Sequence, residues 1–280
     1  MIFIDIDIDK DDNMNITKGL YSYRYFRYVT MRIQYISDLH LERLMPRDVA
    51  KLVSKIRPVP DVDVLVLCGD IGNPYQSSYV EFMSKINHTF AKTFVIAGNH
   101  EFYGNEVVST RQHMKRIFDG NDFPNITLLD NTTETYMDHT FIGSTLWSHI
   151  SNPNYKINDV FSIKDMTIDL YNQLHQDSRD FIYRELNQTH CPAIVLTHHV
   201  PFFELTADKY RTPTMEPYHQ WFSANMTDVV LSHQTRIRGW FYGHTHLPSS
   251  VVVHDVPFHC NPVGYEYEND RIKYDTYVDI

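Results

Sequence analysis

The chain has 280 residues, 42% hydrophobic and 21% charged, enough for a self-sufficient core without disulfide or structural-metal staples. Any metal it binds is therefore expected to serve chemistry rather than architecture. The formal charge of −10, from 35 acids against 25 bases, repels polyphosphate backbones and argues against extended nucleic-acid binding, while leaving room for a local site that takes one phosphate.

Residues 1–30 read as a separate extension, expected to be poorly ordered. There "DIDIDKDDN" alternates acid with isoleucine and "YSYRYFRY" alternates aromatics with bases or serine. Alternation is a strand signal, but no turn and second run follow to pair with it. The acidic start also lacks the basic and apolar parts of a secretion signal. No apolar run approaches the ~18–20 residues of a membrane span. Cys68, Cys191 and Cys260 lie far apart in no C-x-x-C arrangement, which fits free thiols in a reducing compartment. A cytoplasmic protein without a membrane partner is expected.

Met31 opens a single domain, expected over 31–280. Short β-branched runs predict strands at 32–36, 62–68, 93–97, 141–144, 193–197, 236–242, 250–254 and 274–278. Helices are predicted at 46–57, 77–90, 105–118, 165–187 and 217–232. Met166, Leu170, Leu174 and Phe181 lie along one face of the fourth helix and are expected in the core. "MDHT" at 137–140 and "HDVP" at 254–257 read as hairpin turns. Strand-helix alternation followed by hairpins predicts an α/β fold of mixed sheets covered by helices.

Five of these apolar runs end in metal-competent side chains. The first leads into Asp38 and His40, the second into Gly69-Asp70, and the third into Gly98-Asn99-His100-Glu101. Another leads into His198-His199, and the run through Tyr242 leads into Gly243-His244-Thr245-His246. Ligand sites in α/β sheets gather beyond the carboxyl ends of strands. Glycine permits a sharp turn that presents the next side chain at the rim. If the segments stay extended, Asp38 with His40 and His244 with His246 each face one cavity, because residues two apart point the same way.

Two aspartates, one asparagine amide and at least four imidazoles are too many ligands for one ion. They suit two ions sharing a bridging carboxylate. Nitrogen and oxygen ligands without thiolate suit manganese, iron, zinc or cobalt better than calcium or magnesium alone, and of these manganese is the expected metal. "HH" leaves the register open between His198 and His199, with the first preferred because it follows the strand directly. The sequence holds no G-x-S-x-G elbow, no phosphate-binding P-loop and no H-E-x-x-H.

The ordered set D-x-H, G-D, G-N-H-E, H and G-H-x-H resembles the calcineurin-like metallophosphoesterase superfamily across 31–280. "YISDLHLE", "DVLVLCGDIGNP", "GNHEFYG", "GSTLW", "THHVP", "GHTH" and "CNPVGY" bring it nearest to a branch of small phosphoesterases. The resemblance implies a four-layer αββα sandwich of two mixed β-sheets. It implies that Asp38, His40 and His246 hold one divalent ion and Asn99, His198 and His244 another, with Asp70 bridging them. It further implies that His100 contacts the substrate phosphate and assists the leaving oxygen. The chain departs from the protein-phosphatase branch, whose G-D-x-x-D-R-G supplies an arginine, because this stretch reads "GDIGNPY".

The function expected is therefore hydrolysis of a small phosphomonoester or phosphodiester, by in-line attack of a hydroxide bridging two metals. The alternatives are a phosphodiesterase specific for nucleotides or cyclic nucleotides, and a scaffold that keeps the fold without the catalysis. Glu101 is weighed as a carboxylate orienting a ligand imidazole against a surface or capping acid. Asn261 and Tyr265 are weighed as rim residues against a structural turn. The polar-aromatic stretch 147–164 is expected to cover the site and influence substrate choice.

Overall fold

The structure is a computed structural model that describes residues 30–265, 268 and 272–280. The extension expected over 1–30 lies outside the described residues, apart from Thr30. Among the described residues one sheet has five strands: β1 (Arg32–Ile36), β2 (Val64–Cys68), β3 (Thr93–Ile96) and β4 (Ile126–Leu128) run parallel, and β11 (Tyr277–Asp279) lies antiparallel beside β1. The other sheet has six, in the order β5-β6-β7-β8-β10-β9. Its inner strands β6 (His139–Ser144), β7 (Ala193–Thr197), β8 (Ile237–Tyr242) and β10 (Val256–Cys260) are parallel. The edges β5 (Thr132–Tyr136) and β9 (Ser249–Val253) are antiparallel.

Side-chain alternation along the strands creates the layers. Val64, Val66 and Cys68 of β2 and Phe94 and Ile96 of β3 face the second sheet, where they meet Ile194, Leu196 and Phe241. Leu65, Leu67 and Val95 point the other way, under α1 (Pro46–Val53), α2 (Ser77–Thr89) and α3 (Val107–Phe118). Ala193, Val195 and Trp240 turn outward onto α5 (Ile168–Gln188) and α6 (Thr227–His233) through Phe181, Ile182, Val229 and Val230. The result is the four-layer αββα sandwich. Burying each such aliphatic side chain is worth about 1.5–3 kcal/mol. Cys68 and Cys260 are buried free thiols and Cys191 is half-buried.

Both expected hairpins form. Met137-Asp138 (φ 47° and 58°) and His254-Asp255 (φ 50° and 61°) occupy the left-handed region, as two-residue turns matched to strand twist require. Of the predicted stripe, Met166, Leu174 and Phe181 are buried and Leu170 half-buried, with Met166 just before the helix begins. The helix expected at 217–232 is instead two pieces. A 3₁₀ run, Pro213–Trp221, carries Pro217 inside it. The chain then pairs Ser223 with Val200 before α6 begins. Proline removes an amide donor and disfavours a continuous helix. The strands β4, β5 and β10 and the short helix α4 (Asn158–Ser162) were not anticipated.

Candidate metal centre

The five predicted strand ends meet at one edge of the sandwich, but not through extended backbone. Asp38 (φ 53°), His40 (48°), Asp70 (53°), His244 (68°) and His246 (50°) all sit in the left-handed region, costly for residues with a Cβ. His244 and His246 nevertheless face the one centre, each toward a different group of ligands. Two glycines let the strand ends close in on each other. A Cβ on Gly69 (φ 80°) would lie 2.6 Å from the Gly98 amide nitrogen, and one on Gly98 would lie 2.6 Å from that of Asp70.

Glu101 fixes this junction. Its Oε2 accepts from the amides of Gly98 (2.7 Å) and Asp70 (3.0 Å), and its Oε1 from those of Ile71 (2.7 Å) and Gly72 (3.4 Å). It is fully buried and touches backbone rather than imidazole, so neither reading weighed from the sequence describes it. It ties the turn after β2 to the turn after β3, on which Asp70 and Asn99 stand.

Ligand atoms of Asp38, His40 and His246 lie within 4.8 Å of one another, as do those of Asp70, His198 and His244. In the first group His40 Nε2 is 3.1 Å from His246 Nε2, which is 3.4 Å from Asp38 Oδ1. In the second His198 Nε2 is 3.4 Å from Asp70 Oδ2, 3.0 Å from Asn99 Oδ1 and 3.2 Å from His244 Nδ1. Asp70 Oδ2 also stands 3.8 Å from His40 Nε2, between the groups. His199 turns away from the centre. Its Nδ1 donates to the Thr145 carbonyl (3.3 Å) and its Nε2 meets the Tyr171 hydroxyl (3.0 Å). Its ring nevertheless stacks on His244 at 4.3 Å.

The imidazoles are arranged for a cation. His40 Nδ1 faces Glu42 Oε1 (3.3 Å), His198 Nδ1 the Cys68 carbonyl (2.9 Å) and His246 Nδ1 Glu268 Oε2 (2.5 Å). Each of these oxygens holds a proton on Nδ1 and leaves the Nε2 lone pair facing inward, the usual preparation of a ligating histidine. Lone pairs 3.0–3.2 Å apart repel unless something positive lies among them.

The carboxylates make the same demand. Burial alone would raise Asp38, but His246 and His198 hold it below the ordinary range. Burial would likewise raise Asp70, but His198 and His100 hold it well below. In turn, burial opposes charge on His198 and His246, yet Asp70 lifts the first to about 10 and Asp38 the second to about 9. His244 is pushed to about 3 by burial and by His198. Two fully buried carboxylates require compensating positive charge, either as protons on imidazoles or as metal ions in their place. The donor set fits divalent metal.

His100 lies at the mouth of the centre. Its Nδ1 is 3.0 Å from Glu42 Oε1, and its Nε2 is 3.4 Å from the Tyr265 hydroxyl and 4.0 Å from Asp70 Oδ2. Tyr103 stacks on its ring at 4.2 Å. Burial pulls its pKa down, but Asp70 and Glu42 outweigh that and raise it. Tyr265 is a rim residue, its ring against those of His40 and His246 at 4.6 and 4.8 Å. Asn261 is structural, donating to the Tyr35 and Lys273 carbonyls.

Three carboxylates around the centre escaped the sequence reading: Glu42, Glu268 and Asp159. Burial would raise Glu42, but hydrogen bonds from His100 and His40 hold it at about 2. Its place two residues after His40 was the available signal. Asp159 comes from the stretch expected to cover the site, and it lies fully buried against Asn99 and Tyr103. Among the described residues no helix is long and apolar enough to cross a membrane.

The family model for calcineurin-like phosphoesterases matches residues 31–248. Uncharacterized protein L509 of Acanthamoeba polyphaga mimivirus is 32% identical over 281 residues, covering 89% of this chain and 97% of its own. The phosphopantetheinyl hydrolase PptH of Mycobacterium tuberculosis superposes with a TM-score of 0.68 at 16% identity, over 90% of this chain and 96% of that one. GAP50, the anchor in the inner membrane complex of Plasmodium, does so with a TM-score of 0.50 at 11% identity, over 82% and 71%. At such identities the two structures speak for the fold alone.

Proposed function

The chain belongs to the calcineurin-like phosphoesterase family, and on that premise we propose that it hydrolyses a small phosphate ester with the help of two divalent cations. Asp38, His40 and His246 would hold one and Asn99, His198 and His244 the other, with Asp70 shared. The observation that carries this reading is the pair of buried ligand groups meeting at one carboxylate, Asp70 Oδ2. When bound, two cations supply Lewis acidity to phosphate oxygens and a water acidic enough to act as nucleophile at neutral pH.

The protein's own contribution is positioning and proton management. Glu42 holds a proton on His100 Nδ1, so Nε2 is the edge that faces the reaction. With its pKa raised, His100 keeps its proton to higher pH than a free imidazole does and can give the Nε2 proton to the departing oxygen. Stacking on Tyr103 and contact with Tyr265 stop the ring from turning. A full set of seven ligands favours an enzyme over a scaffold. The missing phosphatase arginine in "GDIGNPY" favours small esters over phosphoproteins. Manganese is the expected metal, and the cytoplasm the expected compartment.

The test is a panel assay with manganese on p-nitrophenyl phosphate, bis-p-nitrophenyl phosphate, cyclic nucleotides and a phosphopeptide. Turnover of a small monoester or diester is expected, lost on chelator dialysis and restored by manganese. A chain that binds metal yet cleaves none of these esters with manganese, iron, zinc or cobalt would refute the proposal. Cleavage of the phosphopeptide alone would assign it to the wrong substrate class.

A further inference from the structure

Asn99 can turn either end of its amide toward a metal, and only the oxygen is a ligand. Asp159 decides which. It stands on α4 at 0% exposure, with Oδ1 2.8 Å from Asn99 Nδ2 and 2.6 Å from the Tyr103 hydroxyl. Oδ1 is the acceptor of both bonds, so it takes the NH₂ end and leaves Asn99 Oδ1 facing His198 Nε2 at 3.0 Å. The flipped amide would press oxygen against oxygen at the first of these distances. Tyr103 reinforces the choice, since its oxygen also lies 3.3 Å from Asn99 Nδ2. Among the described residues the side-chain partners of Asp159 are Asn99, Tyr103 and Tyr171. None belongs to the group of Asp38, His40 and His246.

We propose that Asp159 is the positioning residue for the Asn99–His198–His244 cation site, and that it acts on this site alone. The stretch between β6 and α5 thus supports one metal rather than merely roofing the cavity. This rests on the two-cation reading. The expectation is asymmetric: loss of Asp159 weakens the second ion and spares the first.

The experiment is manganese titration of the metal-freed whole chain, followed by elemental analysis and by electron paramagnetic resonance. Wild type should take up two ions with a spin-coupled spectrum. Asp159→Ala should keep the first ion, bind the second about 10- to 100-fold more weakly, and give an uncoupled six-line signal when loaded with one. Asp159→Asn still offers Asn99 an oxygen and should recover the second ion to within about threefold of wild type. Should the alanine chain not fold, Asp159→Leu fills the space without an acceptor and carries the same expectation. Second-ion affinity equal to wild type in a folded Ala or Leu variant overturns the assignment. Equal weakening of both ions overturns its selectivity. A wild-type chain that takes up only one ion overturns the two-cation reading itself, an outcome separable from the others.

Discussion

Asp70→Asn should leave the chain folded but largely stripped of metal, with turnover down by on the order of a thousandfold. Asp70 is the one candidate ligand with an oxygen near both groups, 3.4 Å from His198 Nε2 and 3.8 Å from His40 Nε2. It is almost completely buried. The asparagine still accepts the backbone N–H of His100, which Asp70 Oδ1 holds at 2.8 Å, so the turn after β3 survives. What disappears is the negative charge that the two proposed cations would share. If the clamp they form contributes several kcal/mol to the transition state, losing about 4 kcal/mol corresponds to about 10³ in rate. Elemental analysis and kcat on the best ester of the panel check this together. Full metal content with full rate would remove Asp70 from the bridging role.

His100→Ala separates chemistry from metal binding. None of the seven proposed ligands is lost, so metal content should match wild type. The rate should fall by about 10²- to 10⁴-fold, the usual worth of a positioned general acid. The pH profile gives a sharper reading than the rate. An acid must carry its proton, so wild-type turnover should decline as pH rises through the raised pKa of His100. That alkaline limb should vanish in the alanine variant. Substrates with very acidic leaving groups, which need little protonation, should lose least. Wild-type turnover in a metal-replete His100→Ala chain would take His100 out of the reaction.

The strand ends were legible because the buried runs before them, such as Val64–Cys68 and Ala193–Thr197, are unbroken apolar stretches closed by polar residues. Elements without that signature were not. β5 reads Thr-Thr-Glu-Thr-Tyr on an exposed edge, and β10 carries a proline at its second position. α4 has five residues, too few to show helical periodicity. The supporting carboxylates failed for a different reason. Glu42 meets His100 across 58 residues and Asp159 meets Asn99 across 60. Beyond Glu42's place near His40, nothing local marks an acid whose partner lies so far along the chain. Glu101 shows the converse, since its sequence neighbour His100 is not what it binds.

Five of the seven candidate ligands occupy backbone conformations that glycine would adopt without cost. At about 1 kcal/mol or more apiece, these corners together oppose folding by on the order of 5 kcal/mol, comparable with the whole net stability of many domains. The scaffold tolerates its reactive centre rather than being held together by it. A descendant of this chain with glycine at those corners would shed that backbone strain but lose the ligands with it, so selection for relaxed turns alone would erode the activity.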